Sequence, residues 1–448
     1  MSLLRRLPRY RTVYEQLAEL GARENWSREH IEAWQLERLN RLWSQAVDSV
    51  PYYCEMKARQ ALPARFESLD EFRSRVPILD KRFVREHGRE LLSRRAGAGD
   101  WHHTSGSSGA ATPVFRTASA HQEMLRSRYR FNQVWGVDIF DRWAFIWGNA
   151  EALAPGFAGF RARFQTPLKD WLRNRIRLSP YDLSRDELAR HLQRLRTSGT
   201  VAIYSHTMAM HLLAEEALRQ GVRLPALKLI VLTAEPVRPA TVALIERAFG
   251  VPAVTEYGAV ECGFIAGEAP DRTLRVREDH VLLETVPDGD RHRIVVSVLN
   301  NPEFPLLRYA LGDMTEQPLT LPETGFAILG PVTGRDFDLV VTASGRLLHG
   351  QIFEDIVDKY PAVRRWQLRQ ACDGSVAVQI ECEVAESEAL LSTLRNRFSA
   401  QIDGFDVTVD AVDHMPPSRS GKHRTLMSDL GARHRDATLL QPPHVPGH

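Results

Sequence analysis

Five short segments of this chain put hydroxyls, carboxylates or cations beside glycine, where backbone can approach a charged ligand closely. Thr104-Ser105-Gly106-Ser107-Ser108-Gly109 offers hydroxyls and N–H groups to phosphate oxygens. No Lys-Ser or Lys-Thr follows its second glycine, so it is not a Walker loop. Its glycines are three apart, so it is not a nucleophile elbow either. Glu256-Tyr257-Gly258-Ala259-Val260-Glu261 has an aromatic that can stack on a purine, and a carboxylate able to hold Mg²⁺ on phosphates. Arg308-Tyr309-Ala310-Leu311-Gly312-Asp313 places an aspartate after a glycine, able to accept from ribose hydroxyls. Gly334-Arg335-Asp336 reads as a hinge or a ligand contact. Ser418-Arg419-Ser420-Gly421-Lys422-His423-Arg424 is a cationic loop whose lysine could neutralise a carboxylate and a phosphate as they react. Taken one at a time, each has a plain structural alternative: a surface loop, a buried strand end, a hairpin turn or a solvated basic tail.

Elements that would hold these segments are clearest between Val201 and Tyr257. VAIY, LKLIVLTA and VPAVTEY read as strands, and TMAMHLLAEEALRQ and TVALIERAF as helices stopped by Gly221 and Gly250. Such alternation implies a parallel sheet with right-handed crossovers and ligands at its carboxyl ends. Thr233-Ala234-Glu235-Pro236 and residues 257–261 fall at those ends. The first hundred residues read as charged helices broken at Pro51, Pro63 and Pro77. Beyond about Gly330, a hairpin turning at Ser344-Gly345, a helix over IFEDIVDKY, strands VRRWQLRQ, VAVQIECEV and DVTVDAV, and the helix EALLSTLRNRFSAQI suggest a small α+β unit. The expected fold is therefore α/β: a large domain of parallel-rich sheets and crossover helices over residues 1–333, and a small domain over 334–431. Residues 432–448, rich in Pro and His, are expected to be a disordered tail.

In order, TSGSSG, AEP, EYGAVE, RYALGD, GRDFD and SGK resemble the signature series of the adenylate-forming superfamily, which includes acyl-CoA synthetases and luciferases. The nearest likeness within it is to the phenylacetate–CoA ligase group and its capsule-biosynthesis-like relatives. SVPYYCEM and VPILDKRFVREH also resemble that group's N-terminal pattern, and the likeness runs from about Leu36 to Asp429. The resemblance implies ATP-dependent activation of a carboxylic acid to an acyl-adenylate, followed by transfer to CoA. The alternative acceptor is a carrier-protein thiol, an amine or a hydroxyl in natural-product or polysaccharide assembly. A third alternative is a non-catalytic nucleotide-binding homologue.

By position, the resemblance assigns Thr104, Ser105, Gly106, Ser107, Ser108 and Gly109 to the β- and γ-phosphates. Glu235, Pro236, Glu256, Tyr257 and Gly258 would bracket adenine, Glu261 would face Mg²⁺, and Asp313 with Arg335 would hold the ribose. Lys422, on a mobile small domain, would bridge carboxylate and α-phosphate. An acyl pocket is expected around Trp135, Gly136, Tyr204 and Ala234, whose aromatics suit a flat aryl acid. Two departures stand out. Ala110-Ala111-Thr112 follows the phosphate loop where Lys-Pro is common, and Phe337, flanked by Asp336 and Asp338, takes the hinge carboxylate's place.

Composition narrows the rest. Net charge is +2 from 58 basic and 56 acidic residues, which gives no general attraction to nucleic acid. Cys54, Cys262, Cys372 and Cys382 lie far apart without C-x-x-C pairing, so neither a disulfide framework nor a zinc site is expected. The basic N-terminus is not followed by an apolar run, and nothing approaches a membrane span. The expectation is a reduced, cytoplasmic enzyme.

Overall fold

The computed structural model describes residues 8–103, 112–148, 170–171, 173–235, 237–288, 291–333, 339–357, 359–360, 362–382, 387–412, 415 and 425–431. The N-terminal helices are α1 (Pro8–Arg23), α2 (Arg28–Ser49), α3 (Pro51–Gln60), α4 (Leu69–Arg75) and α5 (Lys81–His87). Pro51 breaks the helical run as expected: it lacks an N–H to continue α2, and it opens α3 at a position where no donor is needed. A hairpin, β1 (Gly99–His103) and β2 (Pro113–Thr117), leads into α6 (Ala118–Val134), whose first turn is capped by the Thr117 hydroxyl.

The central body alternates β3 (Trp143–Ile146), β4 (Arg175–Leu178), α7 (Arg185–Ser198), β5 (Ala202–His206), α8 (Thr207–Gln220), β6 (Leu229–Thr233), α9 (Pro239–Phe249) and β7 (Ala253–Ala259). β8 (Gly263–Glu268), β9 (Leu274–Val276) and β13 (Ile328–Leu329) complete an eight-stranded sheet of order β13-β9-β8-β7-β6-β5-β3-β4. Pairing is parallel from β4 to β7 and antiparallel beyond. Gly221 and Gly250 end α8 and α9 with φ of 64° and 71°, a left-handed cap that costs glycine nothing. β6 is buried along its whole length, as a strand covered on both faces must be.

A second sheet, antiparallel throughout, runs β10 (Val281–Asp288), β11 (Arg291–Val298), β12 (Tyr309–Thr315) and β14 (Val332–Thr333). The same apolar core holds this sheet, β8 and α2–α5 together through Trp43, Tyr53, Phe66 and Phe304. The smaller C-terminal unit contains the hairpin β15 (Leu339–Val341) and β16 (Leu347–His349), α10 (Gln351–Val357) and α11 (Ser387–Ser399). Its sheet is β19-β18-β17-β20, from β17 (Val363–Gln370), β18 (Val376–Cys382), β19 (Val407–Val412) and β20 (Leu426–Ser428). Its own core is built on Phe353, Trp366 and Phe398. A large and a small unit of mixed α/β architecture are thus observed. The sequence-based strands and helices between 201 and 257 fall where expected, as do those of the C-terminal unit. Among the described residues, no helix is long and apolar enough to cross a membrane.

Candidate functional site

At the carboxyl end of the parallel strands, β6 stops at Thr233 and the chain turns through Ala234, whose φ of 68° is left-handed. The turn lets Glu235 reach back, where its Oε2 accepts from the Met208 N–H at 2.6 Å in the first turn of α8. A carboxylate there satisfies an open helical N–H and complements the dipole. β7 ends beside it and folds back into β8. The register slips between Tyr257 and Gly258, and a Cβ on Gly258 would stand 2.5 Å from the Gly263 carbonyl oxygen. Glycine is required there by the crossing of β7 and β8, before any ligand is considered.

Alternation along β7 sends its side chains to opposite faces. Glu256 points under α6, where its carboxylate pairs with the Arg128 guanidinium and accepts from the Tyr204 hydroxyl at 2.9 Å. Tyr257 points the other way, and its hydroxyl donates to Asp313 Oδ2 at 3.0 Å. Asp313 comes into reach because β12 is irregular: its pairing with β11 shifts register between Arg293 and Val295, and Gly312 within it has φ of 88°. RYALGD is therefore a kinked strand, not a hairpin turn.

Glu261 follows the β7–β8 turn and is almost fully buried. Lys81 Nζ, from the start of α5, lies 2.7 Å from its Oε1, and the Tyr309 hydroxyl of β12 donates to the same oxygen at 3.0 Å. Arg116 of β2 donates to the Val260 carbonyl. Burial first, and then Asp313, lifts the Tyr257 hydroxyl well above its usual range; burial and then Glu261 do the same for Tyr309. Both stay protonated donors. Burial, followed by Glu261, also raises the Cys262 thiol, leaving it an inert packing group. The result is a largely buried cluster carrying one carboxylate–lysine pair and one tyrosine–aspartate link, from three separate segments: α5, the β7–β8 hairpin and β12.

Expected site residues fare differently. Tyr257, Gly258, Glu261 and Asp313 come together, with Ala234 and Glu235 at the neighbouring strand end. Glu256 does not join them as a ligand group, because its carboxylate is spent inside the protein on Arg128 and Tyr204. Trp135 and Gly136 lie away from the site. The Trp135 Nε1 donates to the Glu268 carbonyl at 3.0 Å, and the Gly136 carbonyl accepts from Lys228, which precedes β6. Both therefore sit at the amino ends of the parallel strands, at the close of α6. Tyr204 lies between the two sets. Thr104 to Gly109, Pro236, Arg335 and Lys422 lie outside the described residues, as does the expected tail after residue 431.

Lys81, Tyr309 and Arg128 were missed as site residues from sequence. Lys81 stood in the VPILDKRFVREH segment, but nothing local tied it to Glu261, which is distant in the chain. The two anchors of the Lys422 loop are described. Met415 N–H donates to Glu381 at 2.9 Å and its carbonyl accepts from Arg365 at 3.4 Å, while the Leu368 N–H donates to the Thr425 carbonyl at 2.7 Å. Arg365 in turn lies near enough to Arg85 of α5 to help burial, the larger cause, hold that guanidinium below its usual range. Arg365 of the small unit therefore stands on the side of α5.

Comparison with known proteins supports the likeness read from the motifs. The chain is 26% identical to the phenylacetate–coenzyme A ligase of Thermus thermophilus over 90% of its own length and 98% of that protein's. Its fold matches solved structures of 2-hydroxyisobutyryl-CoA ligase. One, with 2-HIB-AMP and CoA in the thioesterification state, gives a TM-score of 0.59 at 17% identity over 93% of each chain. Another, in the postadenylation state, gives 0.57 at 17% identity over 93% of this chain and 94% of that one. No family model matches the chain. At this identity the structural likeness speaks for the fold alone, which is that of 2-hydroxyisobutyryl-CoA ligase.

Proposed function

We propose that this chain is an AMP-forming acid–thiol ligase, which joins a carboxylic acid to ATP as an acyl-adenylate and then transfers the acyl group to CoA. The observation that carries the reading is the convergence of Tyr257, Asp313, Glu261 and Lys81 at the carboxyl ends of a parallel sheet. In the first step a carboxylate oxygen forms a bond to the α-phosphorus, and the bond to the β-phosphate oxygen breaks, releasing pyrophosphate. In the second, the CoA sulfur bonds to the acyl carbon, AMP departs with the electron pair, and the thiol proton goes to solvent.

Residues 104–109 are assigned to the β- and γ-phosphates. The backbone at 234–236 and 256–258 is assigned to adenine, and Asp313 with Arg335 to the ribose. Asp313 is held for that task by the Tyr257 hydroxyl, which donates to its Oδ2. Lys422 is assigned to the charge that develops between carboxylate and α-phosphate. Magnesium in phosphate sites needs only one or two carboxylates beside phosphate and water, and both recorded bonds to Glu261 fall on Oε1. The residues present therefore fit the ion, with Glu261 as its protein ligand. When bound, it would supply positive charge to the phosphate oxygens. Lys81 adds a fixed cation on the same carboxylate.

In this reading residues 1–333 form the nucleotide- and acid-binding domain, and residues 334–431 form a domain that brings Lys422 in. The compartment that supplies ATP and CoA together with reduced thiols is the cytoplasm. The test is pyrophosphate release across aryl, fatty and amino acids, with and without CoA, for the native chain and Lys422→Ala. Acid-dependent release should fall about 10²- to 10³-fold in the variant, as for a lost donor to developing charge. CoA consumption should accompany release. Release that ignores Lys422, or adenylate that hydroxylamine traps while CoA is never consumed, would overturn the corresponding step.

A further inference from the structure

The two faces of the parallel sheet are packed differently. Toward α7–α9, Ala144 and Ile146 of β3 and Ile203 of β5 are fully buried. Toward α6, Phe145 of β3, Trp147 just past its end and Tyr204 of β5 retain partial exposure, although β3 and β5 are interior strands of the sheet. A cleft therefore opens between α6 and β3–β5. Its wall is aromatic: the Phe145 and Trp147 rings stand 5.6 and 5.5 Å from Tyr204, and Trp147 stacks on His206 at 4.2 Å and 14°. Its far end is cationic. Arg175, the first residue of edge strand β4, lays its guanidinium 5.1 Å over the Phe145 ring.

Among the described residues, the charges in this region do not balance. Arg128 is neutralised by Glu256, and Arg177 by Asp170 at 3.1 Å. Among the described residues, neither Arg175 nor its neighbour Arg173 has an ion-pair partner, and Asp170 is the carboxylate that Arg175 senses. Consistently, the His121 imidazole of α6 is held below its usual range by burial first and then by Arg116, Arg173, Arg128 and Arg175. A half-buried guanidinium loses hydration and regains it most fully in a bidentate pair with a carboxylate. Flat rings are accommodated by aromatic walls in offset or edge contact.

We propose that this cleft receives the acid, and that Arg175, supported by Arg173, recognises a second anionic group at the end remote from the reacting carboxyl. The substrate class is then an aryl acid with a distal carboxylate or comparable anion. This rests on the adenylation reading, since it is the reacting carboxyl that must lie at the strand ends near Tyr257.

Phenylacetate and 4-carboxyphenylacetate are the probes, compared in wild type, Arg175→Gln and Arg175→Lys. Pyrophosphate release gives KM for acid and for ATP, and tryptophan fluorescence gives acid binding without turnover. The diacid should be favoured in wild type by about ten- to a hundredfold, as expected for a charged pair. Arg175→Gln should abolish that preference and leave the KM for ATP and the thermal midpoint near wild type, and Arg175→Lys should restore part of it. No preference in wild type overturns the proposal. So does a rise in the KM for ATP that is equal for both acids in Arg175→Gln, since the anion would then be the nucleotide's phosphates. Arg175-dependent binding of the diacid without any pyrophosphate release keeps the anion subsite and removes adenylation. Release with phenylacetate alone does the reverse.

Discussion

The Lys81–Glu261 pair joins two residues far apart in the chain, and its two roles can be separated. Glu261 is nearly inaccessible and Lys81 only partly so, so removing the lysine leaves a buried carboxylate with, among the described residues, one hydrogen bond, from Tyr309. Lys81→Met should cost about 1–3 kcal/mol, below the full value for a buried pair because the ammonium keeps some water. Adding Glu261→Gln removes the stranded charge, and the double variant should recover most of the stability in urea unfolding. Pyrophosphate release should not recover, since both the cation and the metal ligand would be gone. Recovery of activity along with stability would make the pair structural only. The pairing was not legible from residue type: Tyr257 and Asp313 were found because each stands beside a glycine in a recognisable order, and Glu261 because it closes the motif that Tyr257 opens. Lys81 and Tyr309 became partners only through the packing of α5 and β12 on β7. The Glu256 carboxylate is the converse case, since its motif position gives no sign that α6 places an arginine against it.

Elements were most readable where caps and periodicity agreed. α8 and α9 have apolar faces and end at left-handed glycines, and β5, β6 and β7 are short apolar runs between them. The antiparallel β10–β12 sheet went unread although Asp288-Gly289 between two apolar runs is a hairpin signal. The kink in β12 that delivers Asp313 belongs to pairing and leaves no local mark. The turn between β9 and β10 carries a testable consequence. His280 is fully buried, with Nε2 2.8 Å from the Cys262 carbonyl and therefore read as the donor. Burial, the largest influence, holds its imidazole below the usual range. The folded state thus resists protonation while the unfolded chain accepts it near pH 6.5, so stability present above that value falls as pH drops through it. The slope is at most about 1.4 kcal/mol per pH unit from this group. Urea midpoints at about pH 7.5 and 5.5 should show a smaller acid loss in His280→Gln than in wild type. The difference isolates His280 from the other histidines, and equal losses would show that its burial does not govern the turn.

At the scale of the molecule, the large and small units meet along a seam between residues 181–183 and residues 346–355. The Tyr181 hydroxyl donates to Asp355 of α10, Arg346 pairs with Asp182 at 3.2 Å, and the Leu183 N–H donates to the Leu347 carbonyl at 2.7 Å. Leu347 packs into the large unit's core and Tyr181 against the small unit's core. The two units therefore interlock here, which holds them in one orientation, the one that brings Arg365 near Arg85 of α5. If transfer to the thiol uses a different orientation, as the two-step reading requires, contacts made in only one of them set the balance. Tyr181→Phe removes a hydrogen bond to a carboxylate while keeping the ring in place. A loss of about 1–2 kcal/mol shifts the population by roughly five- to thirtyfold. Rapid-quench measurement should then find slower adenylation in a single turnover, with transfer from preformed acyl-adenylate to CoA unchanged or faster. If both half-reactions slow together, the seam supports the fold without selecting a state. If neither changes, the orientation is held by the apolar contacts of Leu347 and not by Tyr181.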